Sequence, residues 1–133
     1  MTENAIARKL QLKPGQSALL MNAPAGFRES LDPLPDGVEL TEEAGGGRFD
    51  FVQVFAGDAA ELGRLLPGAI MATGDGGLLW IAYPKGGRKA GTDLNRDILW
   101  GLVEPHGWAG VRLVALDETW SSMRFRPAGQ VGT

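Results

Sequence analysis

The run YPKGGRKAGTDLN, Tyr83 to Asn95, holds the densest set of residues able to do binding chemistry in this chain. Lys85, Arg88 and Lys89 put three cations on a glycine-rich loop, and Thr92, Asp93 and Asn95 follow where a helix is due to begin. Cationic side chains beside the free amides of a helix N-terminus suit a phosphate or a carboxylate. The same residues also read as a solvated loop with Thr92 or Asp93 as a plain helix cap. Tyr83, the only tyrosine, ends an apolar run, so its hydroxyl is expected either to donate into a cleft or to stay wet above a packed ring. Asn22 ends another apolar run and is placed to bind a ligand amide or to close its own turn.

Nucleophilic and metal chemistry have little to draw on. The chain has no cysteine and a single histidine, His106, which excludes thiolate catalysis, cysteine-rich zinc sites and multi-histidine cages. His106 follows Pro105 at a helix end, where an imidazole bonds to the last carbonyls, and no serine or acid stands at a spacing that would make it catalytic. Asp93 and Asp97 share a helical face, a spacing that caps and solvates a helix more often than it binds metal, so no metal site is expected.

The whole-chain numbers narrow the classes further. With 133 residues, 44% of them hydrophobic and 22% charged, the chain suits one globular domain with a single core. That domain is expected over residues 1–127, followed by a disordered tail at 128–133. A net charge of -3 argues against nucleic acid or an anionic membrane as the main partner. The N-terminal segment is polar, and no apolar run approaches the ~20 residues of a membrane span, so a cytoplasmic protein is expected.

These residues need elements to hold them. Ile6 and Leu10 mark a short helix, expected across the sheet edge, and Ser17 to Met21 is apolar enough for a central parallel strand. FRESL gives a turn or two of helix and GVELTEE a short strand. RFDFVQVFAG is the clearest strand, leading to a capping box at Asp58 and Glu61. Pro67-Gly68 predicts that the next helix comes in two parts. GDGG predicts a turn before a strand from Leu78 to Tyr83, and Leu94, Ile98, Leu99, Leu102 and Val103 have helical spacing. VRLVAL and SSMRFRP predict a terminal antiparallel hairpin, with Trp120 in its turn. The order implies an α/β three-layer sandwich with a mostly parallel sheet and a C-terminal antiparallel strand pair.

Phe49 to Pro127, with FDFVQVF, PGAIMATGDGGLLWIAYPK, a helix ending in HGW and a final hairpin, resembles the second half of class I S-adenosylmethionine-dependent methyltransferases. KPGQSALLMNAPAGF, GGLLWIAYPKGGRKAGTDLNRDILW and DETWSSMRFRP are also similar to a family of small bacterial proteins of unknown function. The methyltransferase resemblance implies a cofactor over the first turn, whose pattern approximates E/D-x-G-x-G-x-G. Here Leu20 stands near the acidic position, Asn22 and Pro24 stand at glycine positions, and Gly26 alone matches. Glu39 or Glu42 is the counterpart of the ribose-binding acid. TEEAGGG replaces the helix and third strand that would wall the adenine.

Two readings follow. The first is a non-catalytic Rossmann-like protein that binds a partner protein or a small anionic ligand, with no cofactor, through Tyr83, Lys85, Arg88, Lys89, Thr92, Asp93 and Asn95. The alternative is a compact S-adenosylmethionine-dependent methyltransferase with a divergent loop, using Asn22, Gly26 and Glu39 for the cofactor. A homodimer with an extended sheet would cover the sheet edges.

Overall fold

A computed structural model describes residues 4–130. Its elements run α1 (Ala5–Lys9), β1 (Ser17–Met21), α2 (Phe27–Ser30), β2 (Glu39–Thr41), β3 (Phe49–Phe55), α3 (Ala59–Ala72), β4 (Thr73–Pro84), α4 (Arg96–Val103), β5 (Trp108–Ala115) and β6 (Trp120–Pro127). The six strands form one sheet in the order β2-β1-β3-β4-β6-β5. The first four lie parallel, while β6 runs antiparallel to both β4 and β5. This is the expected three-layer α/β sandwich with a terminal antiparallel pair.

Strand alternation sorts the core onto two faces. Val52, Val54, Leu79 and Ile81 meet Leu62, Leu66 and Ala69 of α3 and Leu99 and Val103 of α4. On the other face Leu20, Phe51, Phe55 and Trp80 meet Leu10 at the end of α1 and Phe27 and Leu31 at the ends of α2. α1 therefore covers a face, contrary to its expected place across the sheet edge, because Ala7 and Leu10 both have this core to enter. Its end reaches the far hairpin, where Lys9 Nζ donates to the Ala115 carbonyl at 3.1 Å.

Two further expectations give way. α3 is one continuous helix with Pro67 inside it. Proline forfeits one backbone bond there, but Leu62 before it and Leu66, Ala69 and Ala72 around and after it bury against the same face and hold both halves in line. β4 begins at Thr73, so GDGG belongs to the strand; pairing nevertheless jumps from Phe49↔Thr73 to Phe51↔Leu78, so the glycines loop out of the ladder. A Cβ at Gly77 would lie 2.9 Å from the carbonyl oxygens of both Gly74 and Phe49, which only glycine tolerates. Ala128–Gln130 form a short 3-10 turn, and the rest of the expected tail lies outside the described residues. Among the described residues no helix is long and apolar enough to cross a membrane.

One polar pair sits inside the sheet. Gln53 and Ser122 are fully buried, and Gln53 Nε2 donates to Ser122 Oγ at 3.0 Å and to the Val54 carbonyl at 3.1 Å. The Ser122 hydroxyl lies 3.2 Å from Gln53 Oε1 and can return a bond. Ser122→Ala removes that donor and leaves a buried amide oxygen unpaired, so it should cost about 1–3 kcal/mol in urea unfolding, whereas adding Gln53→Leu should recover much of the loss.

Candidate functional site

β1, β3 and β4 are neighbours whose carboxyl ends open at the same edge of the sheet, where open α/β folds bind ligands. β1 leaves the sheet through Asn22, whose φ of 61° lies in the left-handed region usually filled by glycine. Asparagine tolerates this region, so the bend needs no glycine. Asn22 Nδ2 donates to the Phe55 carbonyl at 2.8 Å and so spans from the end of β1 to the end of β3. Gly26, at the head of α2, has φ 87°, and a Cβ there would meet nothing within 4 Å, so the space beside the turn is open.

The neighbouring loop is fastened to the same place. Thr92 Oγ1 donates to the Gly57 carbonyl at 2.6 Å and accepts from the Leu94 amide at 3.2 Å. Asp93 Oδ1 accepts from the Ala59 amide at 2.8 Å. Thr92 and Asp93 were expected to cap α4; they latch the loop to the β3-to-α3 turn instead, and Asp93 serves the N-terminus of α3 beside its own cap, Asp58. The cap of α4 is Asn95, whose Oδ1 accepts from Ile98 N at 2.8 Å. The expected capping box is half altered as well: Asp58 accepts from the Glu61 amide, but Glu61 Oε1 returns to Gly57 N at 2.7 Å.

The cations of the loop divide. Lys85 Nζ is tied to the Asp117 carbonyl in the β5-to-β6 turn. Arg88 and Lys89 lie on a 3-10 turn, Gly87–Ala90, and have no acidic partner among the described residues. Tyr83 is buried at the carboxyl end of β4. Burial raises its pKa above 10.0; Arg96 partly opposes this and Asp97 adds to it. Phe27, Phe55 and Trp120 stack edge-to-face beneath the opening turn, at centroid distances of 4.7 and 5.1 Å. Trp120 thus opens β6 and packs, instead of standing in the hairpin turn.

The acidic candidates separate by register. Glu39 pairs with Ser17 at the amino ends of β2 and β1, a strand length from Asn22, so it cannot share a site with the turn. Glu42 follows β2 at the carboxyl end and pairs with Arg28 at 3.6 Å. No strand flanks β2 on its outer side among the described residues. Sequence reasoning missed the roles of Phe55 and Gly57, because backbone carbonyls carry no residue-type signal. Among the described residues, no three of His, Cys, Asp and Glu gather as metal ligands.

No protein-family model matches the chain, and no curated protein sequence is significantly similar to it. Solved structures are similar in fold. They include the ribosomal protein L11 methylase of Lactobacillus delbrueckii subsp. bulgaricus, at TM-score 0.63 and 10% identity over 92% of this chain and 74% of that one. A SAM dependent methyltransferase from Aquifex aeolicus aligns at TM-score 0.60 and 13% identity over 92% of this chain and 89% of that one. DhpI, in a complex with SAH, aligns at TM-score 0.55 and 11% identity over 96% of this chain and 84% of that one. The fold is methyltransferase-like. In this methyltransferase-like fold the opening turn and the ends of β3 and β4 gather at the usual ligand-binding edge, whereas Glu39 stays outside it.

Tyr83 is the only tyrosine, so absorbance titration reads it alone. The folded protein should ionise with a midpoint above 10.0 and the unfolded chain near it. Because the folded pKa is the higher, Tyr83's contribution to stability is complete below pH ~10 and is lost as pH rises through the folded value.

Proposed function

We propose that the chain is a compact S-adenosylmethionine-dependent methyltransferase whose cofactor lies over the carboxyl ends of β1 and β3. The observation that carries this reading is the left-handed bend at Asn22, a conformation glycine takes readily, at a position where the family's motif has a glycine. The open space at Gly26 and the place of Glu42 after β2 fit the same group. Leu20, buried where the family's motif begins with an acid, does not fit it, nor does the bare outer edge of β2. The likeness to methyltransferase structures, one of them a complex with SAH, supports the reading at the level of the fold.

The cofactor would supply an electrophilic methyl group on a sulfonium. This chain's residues would then bind and orient. Gly26 would let the ligand approach the backbone, Glu42 would face the ribose hydroxyls, and Tyr83, protonated at neutral pH, would offer a donor at the end of β4. Positioning two reactants is enough to speed methyl transfer, so a strong catalytic base is not required.

The commitment of the Asn22 amide to Phe55 favours a second reading. That bond spans from β1 to β3 at the mouth of the crevice, which suits a non-catalytic protein that binds a partner protein or a small anion through Arg88 and Lys89.

Thermal unfolding with S-adenosylmethionine or S-adenosylhomocysteine separates the two. At ~100 times its dissociation constant a ligand adds about 2.7 kcal/mol, which should raise Tm by roughly 8 °C or more for a domain of this size. No shift with either compound at millimolar concentration would sink the methyltransferase reading.

A further inference from the structure

The opposite end of the sheet carries charge that no acid of the fold neutralises by an ion pair among the described residues. A cleft of about 190 Å³ lies between the looped start of β4, from Thr73 to Leu78, and the hairpin residues Trp108, Arg124, Arg126 and Pro127. Arg124 on β6 is paired directly with Arg112 on β5, and Arg126 lies two residues further along β6, so the pleat sets all three on one face. Like charges directly opposite each other destabilise a sheet. None of the three has an acidic partner among the described residues.

Arg124 is held in place nonetheless. It donates through Nη1 to Gln11 Oε1, and its Nε is enclosed without any acceptor. Burial, and then the charges of Arg126 and Arg112, lower its pKa from the usual arginine value. Gln11 has φ 62°, a left-handed conformation uncommon for a residue other than glycine, in the link between α1 and β1. The carboxylate lining the cleft is Asp75, which makes no ion pair with the arginines. Two guanidinium groups lining a small, partly enclosed hollow, with a third paired across the strand from one of them, lack a counter-charge of matching size.

We propose that this cleft binds a small multivalent oxyanion of the phosphate class, held by Arg124 and Arg126, with Arg112 adding charge. Guanidinium forks match such oxygens in pairs, and the cleft is too small for a folded partner. The site is independent of the methyltransferase reading, since it lies at the amino ends of the parallel strands, away from Asn22.

The test is calorimetric titration with pyrophosphate, with inorganic phosphate and with sodium chloride at matched ionic strength. Saturable one-to-one binding of pyrophosphate, tighter than phosphate and absent with chloride, is expected. Arg126 is exposed, so Arg126→Gln should fold normally and weaken binding ~10-fold, as loss of one charged hydrogen bond implies. Asp75→Asn should tighten it, and Arg88→Gln with Lys89→Gln, at the other end of the sheet, should leave it unchanged. The proposal fails if pyrophosphate does not bind beyond the chloride control, or if Arg126→Gln binds as well as the parent. It also fails if the Arg88 and Lys89 changes abolish binding, or if an aspartate-rich peptide binds these arginines and pyrophosphate does not displace it.

Discussion

The hydrogen bond from the Asn22 side chain to the Phe55 carbonyl organises the carboxyl edge of the sheet. A left-handed asparagine costs conformational energy, and the bond to β3 is what offsets it. The next loop attaches to the same exit: Thr92 reaches Gly57 and Asp93 reaches Ala59, just beyond the end of β3. The ends of β1, β3 and β4 are thus fastened around one turn, and any ligand at this edge meets a preformed surface.

The two ends of the sheet differ in how their polar groups are satisfied. At the carboxyl end the loop residues Lys85, Thr92, Asp93 and Asn95 all spend their polar atoms on backbone groups. At the amino end Arg112, Arg124 and Arg126 cluster with no ion pair to an acid among the described residues. Four of the side chains that read as ligand-binding in the sequence therefore also fasten the loop, while three arginines at strand positions have no ion-pair partner among the described residues. The Gln53–Ser122 pair, between the two ends, crosses from β3 past β4 to β6 without a charge.

The strands were legible where apolar runs met their natural ends. β1 over Ser17–Met21 and β3 over Phe49–Phe55 fall where their dense apolar residues placed them, because both are buried on two faces. Capping chemistry announces a helix start but not which helix it serves, so Asp93 was assigned to the helix that follows it and belongs to α3. Pro67 was read as a break because local propensity cannot see the sheet that holds both halves of α3. Glu39 was an acid at the right point in the chain but at the wrong end of its strand, a matter of register that sequence does not disclose. Arg124 and Arg126 were visible at alternate positions, yet the opposition of Arg112 depends on the irregular pairing after Gly110.

In the proposed reading, the edge built around Asn22 is where the ligand binds. The most direct measurement is the amide NMR spectrum of the labelled protein titrated with S-adenosylhomocysteine. The account predicts that the largest shifts fall on the Asn22 side-chain amide and on the backbone amides of Gly26, Gly57 and Tyr83, with the Arg124 to Arg126 strand unmoved. Shifts confined to the amino end of the sheet, or no shifts at millimolar ligand, would contradict it.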